Sequence, residues 1–422
     1  MVSFWRIFWL EFVALARSKV LATLLVLGGG WMLLFPFLIR GDGTPEGLRE
    51  LAIRYSLGGV FALLVIALLA TATGALARER AARRLQLTLV RPVRFPVLIL
   101  GKVVAHVSVG AIVLAVACVL LVLRLGVDGR CAHVVEPALP SVAEEAERMY
   151  QKALADPDTP AELKKAEKPL VLRYLSRRVM DNYQTIPTNA TVSWRFGGLE
   201  DLEGLAVRLR FTNPMELRQD VVGEFRFGNL VGVVSNMTQA VLEIPLEFSQ
   251  PSQPSQLSQP SQLLAFRNRG KTALMIRPRK DLALLAPADA FGWNLLRGYA
   301  VMVAVLTLLV SVGVFLSAAF GRPVALFVAF SVLLVGEMSP EVIDRYPDDM
   351  ETNRIDRMGL AMTRFVAKAT RPVSSLSPLE TLAGGTCVEP ADVCRALALD
   401  AVAIPLLLSF LAAFVLPRKQ ES

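Results

Sequence analysis

Histidine is almost missing from this 422-residue chain, which has only His106 and His133. Two histidines so far apart do not make a metal site, and they leave no partner set for a Ser/His/Asp arrangement. Cysteine is scarce as well, with four residues at 118, 131, 387 and 394. None of them belongs to a Cys-x-x-Cys pair, so a structural zinc site is not expected. Nor do two carboxylates stand at a spacing that suits acid–base work. The sequence names no catalytic, cofactor-binding or metal-ligating residue, and a non-catalytic chain is expected.

Charge is missing over long stretches. Val20–Ile39, Leu57–Ala77, Val103–Leu123 and Gly298–Phe320 contain no Asp, Glu, Lys or Arg, and Ala396–Leu416 contains one, Asp400. A helix needs about 20 apolar residues to cross a hydrocarbon core of about 30 Å. Five such runs exclude an ordinary soluble domain. A sixth, Pro323–Gly336, is short, but can extend through Met338 with local thinning of the bilayer. The apolar content of 54% and the mean hydropathy of +0.48 agree. The net charge of +8 would point a soluble chain towards nucleic acid. Here the basic residues flank apolar runs and set orientation, so membrane lipid is the expected partner and nucleic acid is not. The first run lacks an A-x-A site and exceeds a signal-peptide core in length, so it reads as an uncleaved span.

The most basic short loop lies between the second and third runs. It holds Arg78, Arg80, Arg83, Arg84, Arg91, Arg94 and Lys102. The excess of positive charge places it in the cytoplasm, with Arg6, Arg17, Lys19, Arg322 and Arg418-Lys419 on the same side. The predicted order begins with an amphipathic interfacial helix over 1–19. Spans one to three follow within 20–125, around a cytoplasmic loop over 78–96. An outer domain covers 126–293, and spans four and five lie within 294–337. An outer loop over 338–395 precedes span six and a tail over 396–422, and both termini are cytoplasmic. If the short run fails to cross, 338–395 is cytoplasmic instead, which Arg354, Arg357, Arg364, Lys368 and Arg371 favour.

The fold class expected is an α-helical polytopic membrane protein of six transmembrane helices with an inserted α+β extracytoplasmic domain. Within that domain, residues 139–183 read as helical, rich in Glu, Lys and Ala. Residues 190–286 read as β-rich. Leu205, Val207, Leu209 and Phe211 alternate with small or basic residues, as do Leu242, Ile244, Leu246 and Phe248. One buried and one wet face suit an antiparallel β-sheet or sandwich. Residues 250–262 are a Gln/Pro/Ser low-complexity loop. Gly270-Lys271-Thr272 has the ending of a phosphate loop, but Ala265 stands where the first glycine is needed.

Residues 351–371 have the spacing of a second amphipathic helix, with Ile355, Met358, Met362 and Phe365 near one face. Cys387 and Cys394 either close a small loop by a disulfide or remain two thiols. Asp400 lies near the outer end of the sixth run, five residues before Pro405. It is an intramembrane ionisable group with a functional role or one that snorkels to water.

The N-terminal stretch puts Trp5, Phe8, Trp9 and Phe12 on one helical face, with Glu11 beside them, which suits the headgroup layer. The inner loop reads Glu79, Arg83, Arg84, Leu85, Leu87, Leu89, Arg91, Pro92, Val93 and then Gly101-Lys102. This pattern resembles the inner loop of ABC-2-type transporter permeases, the membrane subunits of ABC transporters. The likeness extends to the aromatic N-terminal helix and to Arg371–Glu380 with the last span. It departs at Arg83-Arg84, where the family often has Gly-Thr, and at Thr88. The outer domain is not part of the family's common core.

The resemblance implies a permease subunit in a bacterial inner membrane. Such a subunit binds no ATP itself and couples to ATP through a separate ABC ATPase subunit. That ATPase would dock on the leucines and arginines of the loop and on the N-terminal helix. A second permease copy or a related permease would complete the path. The alternative from another class is a membrane-anchored scaffold or receptor that presents the outer β domain.

Overall fold

The computed structural model describes the chain apart from residues 1, 39–44, 82–93, 127–128, 139–141, 156–167, 169–170, 173, 177, 180–184, 198–203, 213–219, 228–229, 239–240, 246–260, 277–280, 346–377 and 419–422. The chain divides into two compact units. One joins Met1–Cys131 to Asp289–Ser422, and the other is Ala132–Ala288.

The first unit is helical. Its elements are α1 (Val2–Ala16), α2 (Lys19–Leu38), α3 (Gly47–Arg80) and α4 (Phe95–Leu125), followed after the insertion by α6 (Phe291–Ala319), α7 (Arg322–Arg345), α8 (Pro378–Ala383) and α9 (Pro390–Val415). Four of these, α3, α4, α6 and α9, are long and apolar enough to cross a membrane. The protein is thus membrane-embedded. The two other expected spans contain the shorter apolar stretches Lys19–Met32 in α2 and Arg322–Leu334 in α7.

The helix limits follow local chemistry. Pro96 in the first turn opens α4, where its missing N–H has no partner to lose. Gly126, at φ 75°, ends it in a backbone region that side chains disfavour. Pro390 opens α9 six residues before the predicted run. α6 starts at Phe291, and α7 continues past Gly336 to Arg345, so both outrun their predicted limits.

α6 is the central helix, packed against α3, α4, α7 and α9. Leu64 and Leu68 of α3, Leu98 and Leu114 of α4, and Val301, Leu306 and Val310 of α6 share one core. Leucine, valine and isoleucine at 3.6-residue spacing supply its apolar faces. Among the described residues two stretches are π-helical, Ala52–Leu57 within α3 and Leu397–Ala403 within α9.

The second unit holds α5 (Val142–Ala155), whose Ala146 packs with Val171 and Leu175. Its other named elements are β-strands. Strands β1 (Arg130–Val135), β10 (Leu282–Ala290), β4 (Ala206–Arg210) and β7 (Val241–Pro245) form one four-stranded sheet in that order. Strands β3 (Thr191–Gly197), β8 (Ser261–Asn268), β5 (Asp220–Phe227) and β6 (Leu230–Met237) form the other. A short pair, β2 (Thr185–Ile186) and β9 (Leu274–Met275), stands apart. The alternation predicted for 205–211 is present, with Val207 opposite Leu284 and Leu209 opposite Leu282 in antiparallel register.

Trp194, Phe196, Phe225, Phe227, Leu264 and Phe266 of one sheet share a core with Val207, Leu209, Leu282 and Leu284 of the other. The β region is therefore a sandwich. Gly270-Lys271-Thr272 follows β8 as a turn clamped by buried Asn268. Its Nδ2 donates to Thr272 O at 2.8 Å, and its Oδ1 accepts from Gly270 N at 2.9 Å. Of the low-complexity stretch, Ser261 and Gln262 begin β8. Its other residues after Ser249 and the 351–371 helix lie outside the described residues.

Candidate functional site

The functional candidates gather at the basic end of the helical unit, where α1, the end of α3, the start of α4 and the end of α6 meet. Lys102 is the centre. Its side chain is 2% exposed on an apolar helix, so its ammonium needs a partner to be tolerated there. It has two, since Nζ donates to Glu11 Oε2 and to Glu79 Oε1, each at 2.7 Å. One buried cation thereby ties α1, the stem of the basic loop and α4 together. Such bonds to charged groups are about twice as strong as neutral ones.

Gly101 permits this approach. A Cβ there would stand 2.9 Å from Ile7 Cγ2, so the absence of a side chain lets α1 lie against α4. One turn further along α4, His106 is fully buried. Its Nδ1 is 2.8 Å from the Lys102 carbonyl, which only accepts, so Nδ1 carries the proton and Nε2 is left without a partner.

The next residue of the loop stem turns the other way. Arg80 donates to three carbonyls at the end of α6: Ser317 O at 2.7 Å, Phe320 O at 2.9 Å and Ala318 O at 3.0 Å. These are carbonyls that a helix end leaves without helical partners, and a cation is favoured at that terminus. Ser317 Oγ in return accepts from Leu76 N and Ala77 N, at 2.9 and 3.0 Å. Two consecutive residues, Glu79 and Arg80, thus connect one loop stem to α1, α4 and α6.

The N-terminal stretch is helical as α1, and its aromatic face is divided. Phe8 and Phe12 pack on Ala105 and Val109 of α4, while Trp5 and Trp9 stay exposed at 62% and 55%. The four rings stack along the helix, with centroids 5.0 to 5.9 Å apart. Glu11 turns inward to Lys102. Arg83, Arg84, Leu85, Leu87, Leu89, Arg91 and Pro92 lie outside the described residues.

The opposite end of the unit corrects the cysteine reading. Cys387 is bonded to Cys131, not to Cys394, which is a free and exposed thiol. Cys394 belongs to the helix that Pro390 opens. The Cα atoms of Cys131 and Cys387 are 5.1 Å apart across 256 residues of sequence. Beside this bond, buried Asn294 of α6 donates to Thr386 O at 2.8 Å and accepts from Val388 N at 2.7 Å. Arg49 lies over the Phe291 ring, 4.7 Å from its centroid.

Asp400 is also placed differently from expectation. α9 starts at Pro390, so the carboxyl lies ten residues along the helix, and it is buried and does not reach water. The sequence pointed to Glu79 and Lys102 without pairing them, and it overlooked Arg80, Ser317 and Asn294 as contacts. The available signal was a lysine inside an apolar run, which demands an acidic partner. No group of three His, Cys, Asp or Glu that could hold a metal ion occurs among the described residues. No protein-family model, curated protein or solved structure matches the chain.

Proposed function

We propose that this protein is the membrane subunit of an ABC-2-type transporter, with six spans, both termini in the cytoplasm and a separate ATPase. The observation that carries the reading is the polar network at the base of the basic loop. A soluble ATPase that seats on the loop can pull on Glu79 and Arg80, and these residues hold α1, α4 and α6. Closure of the ATPase then reaches three helices through a few short bonds. The loop's leucines supply an apolar face for docking and its arginines supply charge for an acidic rim.

The orientation draws support from two sources. Basic residues collect at the loop end, and the disulfide stands at the other end, where an oxidising compartment preserves it. The sandwich would sit outside as a lid or docking surface. Purification in mild detergent is expected to bring down an ATPase, and Arg83→Glu with Arg84→Glu and Arg91→Glu is expected to weaken that complex. Transport that proceeds without any ATPase would sink the proposal.

A second reading, a membrane-anchored receptor, is favoured by one observation. Ala132–Ala288 is a compact unit with its own aromatic core. It requires that the sandwich tethered by a single span keep the function of the full chain.

A further inference from the structure

Asp400 is 1% exposed, and neither of its carboxyl oxygens has a hydrogen-bond partner among the described residues. It lies in the π-helical stretch Leu397–Ala403 of a helix apolar enough to cross a membrane. At a rise of about 1.5 Å per residue, it stands about 15 Å from the start of that helix. The wide turn has a local cause. Pro405 has no N–H to offer Ala401 O, and Ile404 N–H reaches back five residues to Leu399 O. Such π turns inside α-helices are frequent at functional sites.

Among the described residues the charged surroundings are sparse. The π turn packs against α6, against Pro390–Ala396 and against Ile404–Arg418. α6 has one charged residue, Arg297, which is paired with Asp289 at 2.7 Å. Pro390–Ala396 holds Asp392 and Arg395, and the field of Arg395 reaches Asp400 without a hydrogen bond. Ile404–Arg418 has a single charge, at its far end. An ionised carboxylate with no donor in a dry apolar site is far costlier than the neutral acid. An ionisable group at such a place inside a span is a functional candidate.

We propose that Asp400 is a proton-binding site inside the membrane. It is a neutral carboxylic acid in this conformation and releases its proton when α9 shifts against α6 and water enters the π turn. The proposal is independent of the transporter reading, because it concerns the state of one carboxyl and not what drives the helices.

The test treats the full-length protein in native membranes with dicyclohexylcarbodiimide at neutral pH and maps the modified peptides. This apolar reagent selects protonated carboxyls in apolar surroundings. The acid's proton moves to one reagent nitrogen as the carboxyl oxygen bonds the central carbon, and rearrangement to the acylurea loses no atoms. Label is expected on Asp400, is expected to vanish completely in Asp400→Asn, and is expected to persist in Asp400→Glu. Asp400→Asn is also expected to keep the thermal midpoint of the native chain, since one neutral group replaces another. Absence of label at neutral pH, or a clear rise in the midpoint of Asp400→Asn from relief of a buried charge, would overturn the proposal.

Discussion

The two ends of the helical unit are fastened by different chemistry. At the loop end, beside apolar packing of α1 on α4, the hydrogen-bonded links are separable: Lys102 to Glu11 and Glu79, Arg80 to the last carbonyls of α6, and Ser317 to Leu76 and Ala77. At the other end, a covalent bond joins Cys131 to Cys387, and Asn294 clamps the same segment from α6. Ion pairs and hydrogen bonds exchange partners as helices move, and a disulfide does not. The contrast suits a unit that is fixed at one end and adjustable at the other.

The comparison breaks most visibly at the covalent end. Cys131→Ser is expected to cost about 2–5 kcal/mol, the usual loss for a native disulfide. The measurement is a denaturation midpoint with and without reductant. Cys387→Ser should lose as much, the double variant no more, and Cys394→Ser nothing. Equal losses in Cys394→Ser and Cys131→Ser would erase the distinction between the ends.

At the loop end, Lys102→Met leaves two acids without their cation. Removing one partner of a fully buried pair costs about 3–5 kcal/mol. Glu11 and Glu79 are partly exposed, at 16% and 30%, so about 2–3 kcal/mol is expected after allowance for solvent screening. Adding Glu11→Gln and Glu79→Gln should restore part of it, read by the same midpoint. The smallest effect belongs to Ser317→Ala, which takes the acceptor from two backbone N–H groups and is expected to cost about 1 kcal/mol. If Ser317→Ala changes the proposed transport more than it changes stability, the contact of Ser317 with Leu76 and Ala77 serves motion more than folding.

Much of this architecture was readable beforehand because burial imposes a pattern. Runs without charge marked the long helices, since a bilayer admits few charges, and alternation marked the strand at 205–211. The strand over 230–237 lies inside the β-rich 190–286 but is not singled out there, because its apolar residues are nearly continuous and hide the period of two. The start of α9 was missed because Pro390–Ala396 carries Asp392 and Arg395, and a polar first turn reads as loop. Asp400 consequently looked closer to water than it is.

Contacts between distant residues were the least legible. Lys102 reads in the sequence as one more residue of the basic loop, and its acids stay hidden because Glu11 is 91 residues away and Glu79 is 23. The cysteines misled for the same reason: Cys394 is close to Cys387 in sequence, and Cys131 is close in space.

The Cys131–Cys387 bond also constrains biogenesis. Its second cysteine emerges only after 256 further residues have been made, including the whole sandwich and α6. Until then Cys131 is an unclosed thiol beside the exit of α4. Closure can follow only when the segment before α9 arrives on the same side of the membrane as residue 131. The bond thus reports that these two segments, made far apart in time, ended on one side.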